Sequence, residues 1–286
     1  MIRPLQSHDA LLADIRASDR LDGSFRLWWL GQSGFLLQWH GVHVLLDPYL
    51  SDSLTKKYSQ TDKPHVRMTE LVIDPAQLAF ADIATSTHNH TDHLDAETLR
   101  PILAGNPRLK LVIPEANRGF VADRLGIEPA LPVGVDDGTT VEISGVRFSG
   151  VASAHESVER DEQGRARFLG YVLQFGEWTI YHSGDTVRYP GMAERLRPFG
   201  VQVALLPING RAPERRVPGN LFGHEAAQLA KDIAAELVIP CHFDMFAFNT
   251  ASPDEFRREC GRLGQPHKVL QCGERWASES LRTPHT

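Results

Sequence analysis

Cysteine is almost missing from this chain: there are three in 286 residues. So few, and an odd number, cannot build a disulfide framework, and at least one thiol must stay free. Long apolar runs are missing too. No window approaches the roughly 18 uninterrupted apolar residues of a spanning helix, so no membrane span is expected. The opening MIRPLQSHDALLADIRASDR has no apolar stretch of the secretory type. Together these absences lead us to expect a cytoplasmic protein. Basic excess is lacking as well, with 30 Lys and Arg against 36 Asp and Glu, a formal charge of −6. That argues against nucleic acid as a partner, because phosphate neutralisation needs a basic surface. A small anionic substrate stays open, since a local patch can oppose the net charge. There is no internal repeat, low-complexity tract or long Gly/Ser/Pro linker, so residues 1–286 are expected to form one domain.

What the chain does have is histidine, 13 in all, and a regular alternation of patterns. A short helix is expected near the start, with Leu11, Leu12 and Ile15 on one side. Phe25 to Trp39 and Val42 to Leu46 read as β-type runs joined by a His-Gly turn. The polar stretch Pro48 to Pro64 is too long for a simple connection, and such loops often cover a site. Strands are expected at Ile83–Ser86 and Leu109–Ile113, and helices at Ala96–Leu103 and Ala116–Leu125. Val141 to Ile180 holds several strands. Val201–Ile208 and Leu237–Ile239 are apolar runs of the buried-strand type. Between them Ala226, Leu229, Ala230, Ile233 and Ala234 fall at helical spacing. A later helix is punctuated by Ser252 as N-cap, Pro253 and Glu255, and stopped by Gly264. Strands interleaved with helices imply α/β layers around one core.

The strongest chemical signal is His88-Asn89-His90-Thr91-Asp92-His93, four metal-competent side chains within six residues. It follows the apolar run ADIATS, so it lies where a strand ends. His88 and His90 can clamp one ion, and Asp92 and His93 can turn towards a second position. The bland alternative is a polar loop capping the next helix through Asp95, and that cap is expected in any case. One loop cannot complete two coordination spheres. His155, Asp185 and His242 each end a β-type run, where α/β folds gather their chemistry. Cys241 would face away from His242 as a core thiol. Asp47 is a candidate acceptor for a ligand histidine, and His182 a supporting residue rather than a ligand.

With these residues in view, the chain resembles the metallo-β-lactamase fold superfamily, over about Leu27 to Trp276. Within it the motifs WWLGQSGFLLQ, DPYLSDS, STHNHTDHLD, YHSGDT, LLPINGR and IPCHFDMF are most similar to the ascorbate-6-phosphate lactonase group. A second likeness is to the N-acylphosphatidylethanolamine phospholipase D branch, which shares the tryptophan-initiated first strand, the DP and HNHxDHLD. The resemblance implies a four-layer αββα sandwich with a binuclear centre. His88, His90 and His155 would hold one ion, Asp92, His93 and His242 the other, and Asp185 would bridge them. Five imidazoles and two carboxylates without a thiolate suit zinc, manganese or iron. Two such ions would lower the pKa of a water held between them and so supply the attacking nucleophile. Asp92 would orient the nucleophile and carry a proton to the leaving group.

The favoured reaction is hydrolysis of a lactone or ester of a small anionic substrate, such as a phosphorylated sugar acid. A phosphodiesterase of the phospholipase type is the alternative, and a metal-dependent binding or sensor protein the non-enzymatic one. Asn209, Arg211 and His224 are the candidate substrate contacts, a guanidinium being well suited to phosphate or carboxylate. Arg215, Arg216, Lys56, Lys57 and Tyr58 are further residues near the expected mouth of the site. Gly31-Gln32-Ser33-Gly34 sits within a strand pattern and is no nucleophile elbow, so a serine hydrolase is rejected. A homo-oligomer is left open.

Overall fold

The computed structural model describes residues 1–18, 22–215 and 217–282; Arg216 lies outside them. Two mixed sheets make the middle of a four-layer αββα sandwich. The first is built from β1 (Phe25–Gly31), β2 (Gly34–Trp39), β3 (Val42–Leu46), β4 (Ile83–Thr85), β5 (Lys110–Pro114) and β6 (Val133–Val135). The second contains β7 (Thr140–Ile143), β8 (Val146–Ala152), β9 (Leu169–Phe175), β10 (Trp178–His182), β11 (Val203–Pro207) and β12 (Leu237–Cys241). The chain then returns as β13 (Arg275–Ala277) to the edge of the first sheet, beside β1.

Each sheet starts with antiparallel hairpins and ends in parallel strands. β1, β2 and β3 pair antiparallel, then β3 to β6 run parallel. β7 to β10 pair antiparallel, then β10, β11 and β12 run parallel. All seven residues of β1, and all five of β10, β11 and β12, are buried. That is the pattern of strands covered on both faces. Trp28 and Trp29, sent to opposite faces, are both buried. Pro240 falls inside β12, which its place at the sheet edge allows, since no ladder partner needs its missing N–H.

The helices cover the outer faces. α1 (His8–Ala17) buries Leu11, Leu12 and Ile15, and its Asp14 accepts from Trp28 Nε1 at 2.8 Å. The others are α2 (Ser53–Tyr58), α3 (Ala96–Gly105), α4 (Arg118–Leu125), α5 (Met192–Leu196), α6 (Gly223–Asp232), α7 (Asp254–Leu263) and α8 (Glu279–Arg282). α6 packs on β11 and β12 and carries α7 outside it. One hydrophobic core runs from Leu11 to Trp276.

Three sequence expectations are adjusted. Gly31 to Gly34 is not strand interior but the turn of the β1–β2 hairpin, with Gln32 at φ +51°. The expected helix from Ala116 begins as a short 3-10 turn and becomes α-helical only at Arg118. α7 starts at Asp254, whose N–H donates to Ser252 Oγ at 3.2 Å, so the serine caps from one position further out. The polar stretch after β3 folds back as α2 and forms a wall of the site.

Candidate metal centre

Every chemical segment leaves the sheets at one edge. Parallel strands β3, β4, β10 and β12 deliver Asp47, the 88–93 segment, Asp185 and His242 beyond their carboxyl ends. β8 runs in the same direction as β10, two strands away, and delivers His155. The 88–93 segment is a turn rather than an extended run: Leu94 N–H donates to His90 O at 2.8 Å. Asp95 then caps α3 as expected, accepting from the Glu97 N–H at 3.3 Å.

These segments bring seven side chains together as two groups. His88, His90, His155 and Asp185 form one, and Asp92, His93, Asp185 and His242 the other. Within each group the ligand atoms lie within 4.8 Å of one another, and Asp185 belongs to both. Asp185 approaches His93 Nε2 at 3.2 Å, His242 Nε2 at 3.4 Å and His155 Nε2 at 3.6 Å. Phe168 packs against the rings of His88, His90 and His155, with centroids 5.0 to 6.0 Å away.

The donor set fits divalent cations. His88 Nε2 is buried with no hydrogen-bond partner, and His93 Nε2 and Asp185 Oδ1 are buried with no neighbour of that kind but each other, 3.2 Å apart. Leaving such atoms under-satisfied in a protein interior is costly unless an ion completes them. Burial, reinforced by His93 and His90, holds His88 well below the ordinary imidazole pKa, and burial brings His90 down to about 4. Both are neutral at pH 7, the state a metal requires. Burial also opposes charge on His93 and His242, but Asp185 and Asp92 outweigh it, raising His93 well above its usual value and His242 to about 9. Burial likewise works against the Asp185 carboxylate, and the same two histidines hold it well below the carboxylate range.

A layer of hydrogen bonds fixes the rings. Asp47, fully buried, accepts from His93 Nδ1 at 2.7 Å, from Thr85 Oγ1 at 2.9 Å and from the Thr87 N–H at 3.0 Å, and also binds Thr87 Oγ1. His155 Nδ1 donates to Gly219 O at 2.9 Å. Each bond puts the proton on Nδ1 and leaves Nε2 for the cluster. Gln32 Nε2 donates to Asp92 Oδ2 at 2.8 Å, and Gln32 O accepts the His242 N–H at 2.9 Å. The hairpin turn is thus a strut of the site. Asp47 and His242 sit at φ +38° and +60°. Such backbone costs of order 1 kcal/mol per residue and persists only where neighbours hold it. His182 Nε2 bonds Ser33 O under the same turn, outside both groups, and Cys241 is buried with its thiol pushed up by burial.

A cavity of about 160 Å³ opens over the cluster. His90, Asp92, His155, Asp185 and His242 form its floor, and Lys57, Tyr58 and His65 stand on the α2 side. Arg124 and Asn249 stand elsewhere around it. The expected substrate contacts fall differently. Arg211 is not among the cavity-lining residues: it pairs with Glu225 through both Nη atoms, at 2.6 and 2.7 Å, and stacks on Phe222. His224 is half-exposed, bonded to Glu255 at 3.0 Å, and also stands apart from the cavity. Asn209 is buried behind it, donating to Asn249 Oδ1 at 3.0 Å, where Arg215 Nη1 also donates at 3.2 Å. Lys56 turns outward to Glu97, whereas Lys57 lines the cavity.

Sequence reasoning missed Gln32, His65, Arg124, Phe168 and Asn249. Arg124 reaches in from α4, donating Nη1 to Asn89 O at 2.6 Å and stacking over Phe120. Nothing in its local sequence marks it, whereas the paired glycines around Gln32 could have signalled a turn.

Fold and cluster together define a metal-dependent hydrolase of the metallo-β-lactamase superfamily. Residues 26–242 match the family model described as the beta-lactamase superfamily domain, and the chain belongs to that family. It is 28% identical to a UPF0173 metal-dependent hydrolase of Rubrobacter xylanophilus over 249 residues, covering 85% of this chain and 91% of that protein. It is 29% identical to a metal-dependent hydrolase of Methanopyrus kandleri, covering 86% and 95%. Its fold is similar to that of YhfI, a metallo-β-lactamase fold protein of Bacillus subtilis, with a TM-score of 0.64 at 15% identity, covering 90% and 100%. Among the described residues no helix is long and apolar enough to cross a membrane.

Proposed function

We propose that the protein hydrolyses a lactone or ester of a small anionic substrate at a two-ion centre. His88, His90 and His155 would hold one ion, Asp92, His93 and His242 the other, with Asp185 shared. The observation that carries this is a pair of four-residue groups with a common carboxylate at the floor of an open cavity. Zinc, manganese or iron bound there would activate water and polarise the scissile group.

The chain's own residues supply the rest. Asp92 lines the cavity and is held as a carboxylate: burial works against it, but His93 and His242 outweigh that. Gln32 fixes its Oδ2, so it is oriented to take a proton from water and return it to the leaving oxygen. Lys57 and Arg124 are the cavity's cations for a carboxylate or phosphate; among the described residues neither has a carboxylate at ion-pair distance. Asn209 would act through Asn249, and Arg211 and His224 would contact only a substrate that extends past the 217–218 segment.

The cavity is smaller than the roughly 300–1,000 Å³ usual for drug-sized ligands, which supports a small substrate over a phospholipid. The likeness to the ascorbate-6-phosphate lactonase group rests on the motifs alone. An open floor supports turnover over a closed sensor site. We further read residues 1–286 as one domain, on the one large core that spans both sheets, and the compartment as cytoplasmic, on three buried free thiols. The test is metal analysis coupled to a panel of lactones and phosphodiesters. Wild type should open an anionic lactone faster than any phosphodiester, and Asp185→Ala should lose bound metal and activity together. Equal, metal-independent rates on both classes would refute the reading.

A further inference from the structure

His65 takes no part in the metal cluster, yet it lines the same cavity as Asp92, Asp185 and His242. It is 8% exposed. Its Nδ1 lies 2.9 Å from the carbonyl oxygen of Lys63. A carbonyl oxygen only accepts, so Nδ1 carries the proton and Nε2 of the neutral ring is a lone-pair acceptor. Among the described residues nothing donates to that Nε2.

The ring is held on several sides. Tyr58 stacks on it at 4.4 Å, Phe246 meets it edge-on at 5.2 Å and Phe248 lies 5.4 Å away. Its backbone is tied to α2, since Thr55 Oγ1 donates to His65 O at 2.7 Å. Burial lowers its pKa, against the Lys63 carbonyl and Asp92, with Lys57 and Lys63 adding to the lowering. The cations on the cavity wall, Lys57 and Arg124, can only donate. His65 supplies what they lack, a neutral acceptor whose ring is held among aromatic neighbours.

We propose that His65 is a specificity-determining residue, accepting through Nε2 a hydrogen bond from a hydroxyl group that the substrate carries beside the bond to be cleaved. The substrate class is then a hydroxylated acid lactone or ester. This rests on the lactone-or-ester reading above.

The test compares α-hydroxy-γ-butyrolactone with γ-butyrolactone, using metal-loaded wild type, His65→Gln and His65→Phe, with bound metal measured in each. Wild type should favour the hydroxylated lactone by about tenfold in kcat/KM, the worth of one neutral hydrogen bond. His65→Phe should bring the ratio to about one, mainly through KM. His65→Gln, whose amide oxygen can accept, should keep part of it. Long-range proton–nitrogen spectra of wild type should show the Nδ1–H tautomer, a readout that needs no variant to fold. A wild-type preference that is absent, or that survives in His65→Phe, overturns the proposal, as does the Nε2–H tautomer. If wild type opens neither these lactones nor the anionic ones of the panel above, the underlying reading of the reaction fails, and this inference with it; if it opens only the anionic ones and shows no preference among them for a neighbouring hydroxyl, this inference alone fails.

Discussion

Replacing Asp47 by Asn isolates the bond that orients His93. The two side chains have one shape, and Asn accepts left-handed backbone, so φ +38° is kept. Oδ1 can still accept from Thr85 Oγ1 and the Thr87 N–H, at 2.9 and 3.0 Å. The amide nitrogen, however, replaces the oxygen that takes the His93 Nδ1 proton at 2.7 Å. Two donors then face each other. Either the contact is lost, or His93 moves its proton to Nε2, the atom 3.2 Å from Asp185 Oδ1 in the cluster. Both outcomes weaken ligation. Loss of such an orienting partner typically costs about 10–100-fold in metal affinity, roughly 1.4–2.8 kcal/mol. The assay is titration with Mn²⁺ or Zn²⁺ against a competing chelator, with thermal unfolding alongside. Metal at 100 times Kd stabilises by about 2.7 kcal/mol. At about 2–3 °C per kcal/mol for a chain of this size, the wild-type shift is about 5–8 °C and should shrink in the variant. An Asn variant that binds metal within twofold of wild type, with an equal thermal shift, would refute the assigned role of Asp47.

Two further predictions follow from the same geometry. At pH 7 the metal-free protein holds extra protons on His93, raised well above its usual value, and on His242, raised to about 9, while His88 and His90 are already neutral. Metal must displace the first pair, so calorimetry in buffers of different ionisation enthalpy should show release of about two protons per protein, falling as pH rises through about 9. Buffer-independent heats would contradict this. At Gly184, φ +57°, a Cβ would lie 2.5 Å from Thr87 Oγ1 and 2.6 Å from Thr87 Cβ. Thr87 is bonded to Asp47 and cannot retreat, so Gly184→Ala should cost about 1–3 kcal/mol in denaturant unfolding and lower bound metal. A wild-type midpoint with full metal content would show that the 87 and 184 segments are not packed as described.

Which parts of the site could be read from the sequence follows from how each residue is specified. The seven clustered side chains were legible because their chemistry is rare and because each closes a strand. Parallel strands bring their carboxyl ends to one edge whatever lies between them in sequence. The hairpin at Gly31 to Gly34 was misread because apolar residues flank it on both sides. The warning was length, since fifteen residues from Phe25 to Trp39 far exceed the roughly five or six of a usual strand. Arg211 is a different case. Its residue type was right for an anion, but Glu225 Oε2 accepts the Phe222 N–H at 2.9 Å, and that places the carboxylate where it captures the guanidinium. Which of two partners a long side chain chooses is decided by tertiary geometry, and no local pattern records it. The same reason hid Arg124 and His65, whose sequence neighbours look like ordinary helix and loop. On the proposed reading, the cation to test first is therefore one the fold leaves without a carboxylate. On that ground the search for the substrate should begin at Lys57 and Arg124 rather than at the arginine-rich segment after β11.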